Sequence, residues 1–500
     1  MSRTLSKSKL LAFQQCPKRL WLEIHKPELR EDSAGTEAHF GVGHAVGAVA
    51  RRLYDPKGKG VLVDPKAEGF SAALKHSTEL LESSQPIFEA GFSANGALAF
   101  ADVMLPVTKK GRRAWRMVEV KSSTKVKDYH RNDVAIQAFV ATAAGVPLSS
   151  ISVATIDNTW IYAGDNEYNG LLKESDLTEE AFGRANKVKE LISEAQTAAA
   201  MTKQPKLTTG KHCRDPFECG FIDYCRSQEP QAEYPVDVLP RRGKALQTYI
   251  DEKHVIELRD APDKLLNATQ LRVKQYTLSG MTFFDAKGAA AALAPYKLPA
   301  RFLDFESIQF AVPIWKGTRP FQNIPFQFSV HRLSRAGSVD HKGFLDLSGS
   351  DPSRRLAEAL IDACGERDPV FVYNAAFEKG CITGLATRFP RLQGPLLAIN
   401  ERLVDLLPIA QRYYYHPSRE GSWSLKAVLP ATAPDLSHAA LDGVQDGGMA
   451  MEAFLEAIHK DTSPARKQQI EHELLKYCCL DTYAMVRIWQ VFASRSDFKL

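Results

Sequence analysis

The sequence predicts an α/β fold distributed over more than one domain. At 500 residues, the chain exceeds what a single hydrophobic core usually organises, so two or three domains are expected. Strand signals occur in two separate places, at 88–123 and from residue 301 onward, where short apolar runs are bounded by turn residues. Stretches with apolar residues at helical spacing lie around them. Mixed signals of this kind are typical of α/β domains.

The composition is that of an ordinary globular protein. Apolar residues make up 44% of the chain and charged residues 25%. The formal net charge of +5 permits a nucleic-acid partner without requiring one. The N-terminal stretch lacks the apolar run of a signal peptide, and no stretch reaches the roughly 18 to 20 apolar residues of a membrane helix. We therefore expect a cytoplasmic protein with no membrane partner.

The order of the signals divides the chain into three segments. Residues 1–230 combine helices, a strand-rich stretch and a group of cysteines, and 7–24 predicts a helix interrupted at Pro17. Residues 231–298 carry helical patterns broken by prolines, so we expect a helical connector there. Residues 299–500 alternate strands and helices, which predicts a second α/β domain.

A predicted hairpin in the first segment carries three chemically active side chains. Asp102 ends one apolar run, and Glu119 and Lys121 lie two residues apart in the next. In a strand these two share a face, and Asp102 on the adjacent strand can reach the same place. Two carboxylates suit Mg²⁺ or Mn²⁺, and a neighbouring ammonium can assist an attacking water. The alternative is a solvated hairpin edge, where Glu-x-Lys pairs are common.

These three residues, together with Gln137 on the following predicted helix, resemble the motifs of the PD-(D/E)xK nuclease family. The resemblance implies that Asp102, Glu119, Lys121 and Gln137 form a catalytic site in which Asp102 and Glu119 hold the metal. The RecB-like branch of the family usually has Tyr four residues after the glutamine, and Ala141 stands at that position here.

The RecB-like branch also implies a helical histidine as a further metal ligand. His44, within a helix predicted over 36–54, is the candidate, and His39 competes with it. A lone histidine on such a helix is often structural, so that alternative stays open.

The cysteines of the first segment form a second candidate site. Three of them fall within thirteen residues and a fourth stands alone near the N-terminus: Cys213, Cys219, Cys225 and Cys16. A tight cysteine group in a chain expected to be cytoplasmic indicates metal binding more often than disulfides.

The stretches CPKRLW and CRDPFECGFIDYC resemble the iron–sulfur members of the RecB-like nucleases, which place one cysteine before the nuclease core and three after it. The resemblance implies that Cys16, Cys213, Cys219 and Cys225 bind a 4Fe–4S cluster that clamps the two ends of the domain. Zinc held by four thiolates and unliganded buried thiols are the alternatives.

Acidic residues recur in the third segment in a different pattern. Asp304 and Glu306 share one face of a predicted strand, and Glu378 lies near the start of a predicted helix. Tyr477 and Asp481 are four residues apart on a C-terminal helix and share its face. Four converging carboxylates could hold two divalent ions, an arrangement suited to phosphodiester hydrolysis. Taken singly, each piece is equally typical of a solvated strand face or a core tyrosine.

The motifs D-x-E, N-x-x-F-E and Y-x-x-x-D resemble, in that order, those of the DnaQ-like (DEDD) exonucleases, which have the ribonuclease-H-like fold. The resemblance implies that Asp304, Glu306 and Asp481 bind metal and that Tyr477 orients the attacking water. Glu378 departs from the family, which usually has Asp at this catalytic position. The whole chain also resembles a bacterial family in which the two nuclease modules occur together.

The combined resemblances imply a metal-dependent DNA exonuclease that acts in repair, recombination or defence. Single-stranded ends are the expected substrate, with duplex ends and RNA as further partners. The chain has no Walker A sequence, so a helicase or a defence motor would be a separate partner. Two other functions stay open. One is an RNA-processing nuclease, and the other is a nucleic-acid-binding subunit in which one or both sites no longer cut.

Overall fold

The chain folds into two compact units of mixed α/β structure, so the predicted fold class is confirmed at that level. The structure, a computed structural model, describes residues 3–32 and 34–498, with side chains described outside 33–40. The first unit contains Met1–Pro230 and Phe310–Phe321, and the second contains Gln231–Gln309 and Gln322–Leu500. Over the described ranges, no helix is both long enough and apolar enough to cross a membrane.

The first unit is built on a seven-stranded sheet. Its strands are β1 (Leu5–Ser6), β2 (Val61–Leu62), β3 (Ile87–Ala94), β4 (Ala97–Lys109), β5 (Arg112–Lys121), β6 (Leu148–Ile156) and β7 (Leu172–Asp176). Its described helices are α1 (Lys7–Gln15), α2 (Pro17–His25), α3 (Ala34–Tyr54), α4 (Pro65–Glu68), α5 (Phe70–Leu80), α6 (Asp128–Ala143), α7 (Thr178–Gly183), α8 (Ala185–Ala199) and α9 (Ile222–Ser227). The strand order is β2-β3-β4-β5-β6-β7, with β1 added in parallel to β4.

The helix predicted over 7–24 is two helices that meet at Cys16. α1 follows Ser6, whose hydroxyl accepts a hydrogen bond from the backbone N–H of Lys9 at 3.4 Å. α1 ends at Gln15, and Pro17 opens α2 at a first-turn position, where the N–H that proline lacks would have no partner in the helix. The break at Pro17 therefore follows from proline chemistry.

Segment 310–321 belongs to the first unit although it follows β-structure of the second. Ala311 is buried in a small apolar core that includes Val46 of α3. The backbone N–H of Tyr162 donates to the carbonyl oxygen of Thr318 at 3.0 Å. The first unit is thus completed by a piece of chain that is remote in sequence.

The second unit contains a five-stranded sheet and a separate two-stranded pair. Its strands are β8 (Phe283–Phe284), β9 (Ala300–Ile308), β10 (Ile324–Leu333), β11 (Val339–Leu345), β12 (Val370–Val372), β13 (Leu403–Asp405) and β14 (Tyr414–Tyr415). Its described helices are α10 (Lys244–Lys253), α11 (Ala268–Ser279), α12 (Ala286–Leu293), α13 (Ser353–Cys364), α14 (Ala375–Arg388), α15 (Gln393–Glu401), α16 (Leu406–Tyr413), α17 (Leu425–Thr432), α18 (Gly447–Ile458) and α19 (Pro464–Phe492).

The larger sheet of the second unit changes direction at its central strand. Its order is β11-β10-β9-β12-β13, with β10 antiparallel to both of its neighbours and β9, β12 and β13 parallel to one another. The chain therefore adds β10 and β11 on one side of β9 and then β12 and β13 on the other. Open α/β sheets bind ligands at the carboxyl ends of the strands beside such a reversal.

Residues 231–298, predicted as a separate connector, lie within the second unit. Leu246 of α10 and Val273 of α11 are buried in the same apolar core as Phe302 of β9 and Trp489 of α19. The predicted three segments thus become two units. Apolar periodicity identifies a helix face that is buried, but it does not identify the core that the face joins.

Candidate functional site

Three carboxylates of the first sheet, Glu89, Asp102 and Glu119, lie close enough for their charges to influence one another. The β3–β4 ladder skips Glu89 and Asp102 between the pairs Phe88–Val103 and Ala90–Ala101, and the β4–β5 ladder stops at Val103–Val118, one residue short of Asp102 and Glu119. Burial, followed by the charge of Glu119, raises the pKa of both Glu89 and Asp102, that of Asp102 well above its usual value. Glu89 also has a φ of 55°, which is uncommon for a residue with a Cβ. The three carboxylates are a candidate oxygen-ligand site for a divalent cation.

Glu119 is fully engaged by donors of the chain itself. Its Oε1 accepts hydrogen bonds from Lys121 Nζ at 2.6 Å and Lys7 Nζ at 2.9 Å. Its Oε2 accepts one from Gln137 Nε2 at 2.6 Å. Burial alone would raise the pKa of Glu119, but the ammonium groups of Lys121 and Lys7 hold it below its ordinary value. Because Glu119 is only 2% exposed, the Glu-x-Lys pair does not belong to a solvated hairpin edge.

Asp133 of α6 completes a cluster of alternating charges. Lys7 Nζ lies 2.8 Å from Asp133 Oδ1, and Lys121 Nζ donates to Asp133 Oδ2. Burial would lower the pKa of both lysines, but the charges of Asp133 and Glu119 raise it. Two cations and two anions thus neutralise one another inside the unit.

The structure brings together Asp102, Glu119, Lys121 and Gln137, the four residues that the sequence grouped. Asp102 Oδ2 accepts the backbone N–H of Val120 at 2.7 Å. Gln137 reaches the hairpin from α6, as expected, and also donates to the carbonyl oxygen of Phe100 at 2.9 Å, besides its bond to Glu119.

The predicted histidine ligand is not joined to this group. His44 is exposed on α3, a helix that packs on β4 and β5, and no hydrogen bond or ion pair of the described side chains links it to Asp102 or Glu119. The side chain of His39 lies outside the described residues. His44 as a metal ligand stays a prediction.

Glu89, Lys7 and Asp133 were missed by the reading of the sequence. Glu89 could have been found, because it is the single acidic residue in the apolar run IFEAGF beside the hairpin. Asp133 lies four residues before Gln137 and shares its helix face, which is also a usable signal. Lys7 gives no signal, since it lies 112 residues from Glu119 in the sequence.

The four cysteines of the first unit line a single pocket together with Lys18 and Arg19. Cys16, Cys213 and Cys219 are buried, and Cys225 is half-buried. Burial raises the pKa of the Cys16, Cys219 and Cys225 thiols, and the neighbouring thiols contribute in the same direction. All eight cysteines of the chain are free thiols.

The four thiols form a donor set that either zinc or an iron–sulfur cluster could use. Over the described residues, the sets of three side chains with ligand atoms within 4.8 Å of one another do not include these cysteines. A single tetrahedral zinc brings its thiolates to within about 3.8 Å of one another, because Zn–S bonds are about 2.3 Å long. A four-iron cluster separates its four thiolates more widely and carries negative charge, which Lys18 and Arg19 would offset.

The second unit gathers its predicted acidic residues around Asp304. Burial, followed by the charges of Asp481, Glu306 and Glu378, raises the pKa of Asp304 well above its usual value. Asp304 and Glu306 come from the carboxyl half of β9, Glu378 from the first turn of α14, and Asp481 from α19. All four therefore lie beside the reversal in strand order.

Two glutamates in this cluster are almost fully buried. Burial raises the pKa of Glu306 to about 8, with the charge of Asp481 adding to the effect and Lys426 opposing it. Burial likewise raises the pKa of Glu378 to about 8. Glu378 is 1% exposed, and its Oε2 has no hydrogen-bond partner in the part of the chain that the structure describes. A buried oxygen without a partner is typical of a place that receives a ligand.

Asp481 and Asp304 have partners that the sequence did not suggest. His438 Nε2 donates to Asp481 Oδ1 at 2.7 Å, and both side chains are 7% exposed. The Cys478 thiol lies 4.0 Å from Asp304 Oδ2. Cys478 could have been found, because it lies three residues before Asp481 on the same helix. His438 could not, since it lies 43 residues away in an irregular stretch.

Tyr477 is buried between two basic side chains. Its ring centroid lies 6.0 Å from that of His438, and Lys426 Nζ lies 5.0 Å from the centroid of the same ring. Burial, followed by the charges of Asp481 and Glu306, raises the pKa of Tyr477. The phenol therefore stays protonated and can donate a hydrogen bond towards the acidic cluster.

Asp405 has a structural role at the edge of this site. Its carboxylate accepts the backbone N–H groups of Asn374 and Ala375, each at 3.0 Å, and that of Leu407 at 2.9 Å. These bonds fix the start of α14, one turn before Glu378. Asn374 itself has a φ of 79°, which turns the chain from β12 into that helix.

The comparisons with known proteins concern the second unit. Residues 301–424 match a family described as a domain of unknown function (DUF2779). The match covers about a quarter of the chain and includes Asp304, Glu306 and Glu378, but it ends before Tyr477 and Asp481. No curated protein matches the chain.

Substituting Lys7→Met should destabilise the first unit by about 1–3 kcal/mol, because it removes one of two cations from a buried charge cluster. The effect should be smaller than for a fully buried pair, since the Lys7 side chain is 20% exposed. Lys9→Met is the matched control on the same helix, where the partner Glu23 lies 3.4 Å away. Urea unfolding measures both variants. A Lys7→Met effect no larger than that of Lys9→Met would contradict this account.

The pKa values of Glu306 and Glu378 predict how pH affects the chelated protein. Both carboxyls keep their protons up to about pH 8 when folded and lose them near pH 4.3 when unfolded, so the free energy of unfolding should fall as pH rises between these values. Glu378→Gln should flatten this fall by up to about 1.4 kcal/mol per pH unit. The exposed Glu471→Gln is the control. Denaturant unfolding in EDTA from pH 5 to 8 measures how the free energy of unfolding changes with pH. An equal change per pH unit in wild type and Glu378→Gln would refute the prediction.

Proposed function

We propose that this protein is a metal-dependent nuclease with one site in each unit. The observation that carries the proposal is the acidic cluster of the second unit, where four carboxyl groups from a strand and two helices meet in a buried place. Carboxylates crowded in this way repel one another unless protons or cations neutralise them. Divalent cations, which also bind phosphodiester substrates, can neutralise these carboxylates.

The second unit is proposed to be a DnaQ-like exonuclease of the ribonuclease-H-like fold. Asp304, Glu306 and Asp481 would hold Mg²⁺ or Mn²⁺, with Glu378 as the fourth carboxylate. All four offer the oxygen ligands that these ions prefer. When bound, such ions activate water and stabilise the leaving oxygen of a phosphodiester. The position of the cluster beside the strand reversal supports the assignment.

The remaining residues of this site would position groups rather than bind metal. His438 holds one oxygen of Asp481 and so fixes the orientation of the carboxylate. The Tyr477 hydroxyl, kept protonated by burial and the acidic surroundings, would orient the attacking water. The Cys478 thiol would restrain Asp304.

The first unit is proposed to be a RecB-like nuclease of the PD-(D/E)xK type. Asp102 and Glu119 would hold a divalent ion, with His44 as a further ligand, while Lys121 would stabilise negative charge on the phosphate and Gln137 would orient Glu119. Glu89 is added to this set because its charge raises the pKa of Asp102.

One observation favours a second role for the first unit. Both oxygens of Glu119 are engaged by donors of the chain, namely Lys7, Lys121 and Gln137. A metal would have to compete with these donors. The first unit could therefore bind nucleic acid through its basic groups without cutting it.

The four-cysteine pocket is proposed to hold a 4Fe–4S cluster that stabilises the first unit. Cys16 and the group Cys213, Cys219 and Cys225 come from opposite ends of that unit, so a shared cluster would tie the ends together. Free thiols throughout the chain suit a reducing cytoplasm.

DNA with single-stranded ends is the proposed substrate, and an RNA substrate is the rival. A time course on end-labelled single-stranded and duplex DNA, and on matched RNA, with Mg²⁺ or Mn²⁺ tests this. We expect Lys121→Ala and Asp304→Ala each to remove one class of product, and the double variant to lose cleavage. Lys125→Ala and Asp260→Ala, both at exposed positions, are the charge-matched controls and should cut like wild type.

Four outcomes would change the assignment. Cleavage of RNA alone would favour RNA processing. Lys121→Ala with the full product pattern of wild type would leave the first unit as a binding module. A double variant as active as wild type, or an inactive wild type under reducing conditions that preserve the cluster, would refute both catalytic assignments.

Glu89 gives an independent test of the first site. In the Asp304→Ala background, Glu89→Gln should raise the Mn²⁺ concentration for half-maximal cleavage by about 10-fold or more, since ligands and their close supports change metal affinity by that order. Glu79→Gln, whose side chain is 64% exposed, is the control. An unchanged Mn²⁺ dependence in Glu89→Gln would remove Glu89 from the site.

A further inference from the structure

A group of two histidines and a cysteine lies in the second unit, apart from the carboxylates. His331 of β10 and His341 of β11 are paired directly across the two strands, and their ring centroids are 4.6 Å apart. Cys479 comes from α19, a helix that packs on both strands. One nitrogen of each histidine and the Cys479 sulfur lie within 4.8 Å of one another. Two strands and one helix therefore bring three metal-ligating atoms to one place.

A chain of hydroxyls supports both imidazoles. Thr482 Oγ1 lies 2.7 Å from His331 Nδ1, and Ser329 Oγ lies 2.8 Å from His341 Nε2. The two hydroxyls are themselves 2.6 Å apart. Each ring thus has one nitrogen held by a hydroxyl. Metal-binding histidines typically have this arrangement, since the bond at one nitrogen orients the ring for coordination by the other.

The two rings are buried to different degrees. His331 is 5% exposed, and burial followed by the charge of His341 lowers its pKa to about 3. Burial also lowers the pKa of His341. His341 is nevertheless exposed on one side and Cys479 is half-exposed, so an ion can reach the group from solvent.

The alternative explanation is a pair of core histidines that are satisfied by hydroxyls alone. It accounts for His331, which is buried, but not for His341, which is exposed and still held by Ser329. It also does not account for the thiol beside both rings. The Cys479 thiol, beside two histidines that hydroxyls hold in place, is instead the arrangement of a metal-binding site.

We infer that His331, His341 and Cys479 bind one zinc ion, with water at the fourth position. Two imidazoles and a thiolate suit zinc, whereas Mg²⁺ and Mn²⁺ prefer oxygen ligands. Tetrahedral zinc, with bonds of about 2.0–2.3 Å, needs its ligands about 3.3–3.6 Å apart. Small side-chain rotations close the present spacing, which is at most 4.8 Å. The ion would join α19 to β10 and β11.

This inference does not depend on the proposed nuclease function. Zinc binding can be measured without any substrate, and the three residues are distinct from the carboxylates assigned to Mg²⁺ or Mn²⁺. The two sites are nevertheless neighbours in sequence, because Thr482 follows Asp481 directly and Cys479 lies two residues after Tyr477. An ion at this place would restrain the part of α19 that carries the acidic cluster.

The test compares the zinc content of the full chain with that of His341→Ala and Cys479→Ser. The proteins are purified without oxygen, exposed to excess Zn²⁺ with Mg²⁺ present and freed of unbound metal. We expect each variant to hold one zinc equivalent less than wild type. His459→Ala, at an exposed position, is the histidine control and should bind as wild type does. Cys16→Ser disrupts the four-cysteine pocket and should keep this one equivalent.

Cobalt supplies a second readout. Co²⁺ in place of zinc should give visible absorption of a tetrahedral site with a thiolate charge-transfer band, and the part of that signal that survives in Cys16→Ser should disappear when His341→Ala is added. Because His341 is exposed, this substitution keeps the test valid even if Cys479→Ser fails to fold. Equal zinc content in wild type and His341→Ala, or zinc that Mg²⁺ displaces, would overturn the inference.

Discussion

A carboxylate that leaves water must regain its lost solvation from positive groups or give up its charge. Both units bury several carboxylates, and cations of the chain meet this constraint mainly in the first unit. The first unit supplies cations from the chain, so that Lys7 and Lys121 lie against Glu119 and Asp133. In the second unit, burial raises the pKa of Glu306 and Glu378, which favours their neutral forms.

The two solutions imply different responses to an incoming cation. In the first unit an ion competes with ammonium groups that are already bonded, so its entry rearranges side chains. In the second unit an ion replaces protons on the carboxyl groups. Its entry therefore changes their charge more than the positions of the side chains. Helix α1, whose first residue is Lys7, thereby becomes part of the first site although it carries no acidic ligand.

The sequence predicts what is periodic and local in these sites. Glu119 with Lys121, and Asp304 with Glu306, follow from strand alternation, while Tyr477 with Asp481 follows from helix spacing. Lys7 and His438 do not follow, since each meets its partner through a contact between elements that are remote in sequence. The helices of 231–298 were likewise recognisable, but the core they join was not, because it is assembled from β9 and α19 far along the chain.

The assignment of 310–321 to the first unit has a consequence for the linear order of the chain. The polypeptide passes from the first unit to the second after Pro230, returns at Phe310 and departs again after Phe321. No single cut can therefore separate the units with both intact. A fragment that stops at residue 230 lacks Ala311 from its apolar core. The complementary fragment retains residues 310–321 without the unit against which they pack. Circular permutation or excision of either unit has to deal with three chain connections between the units rather than one.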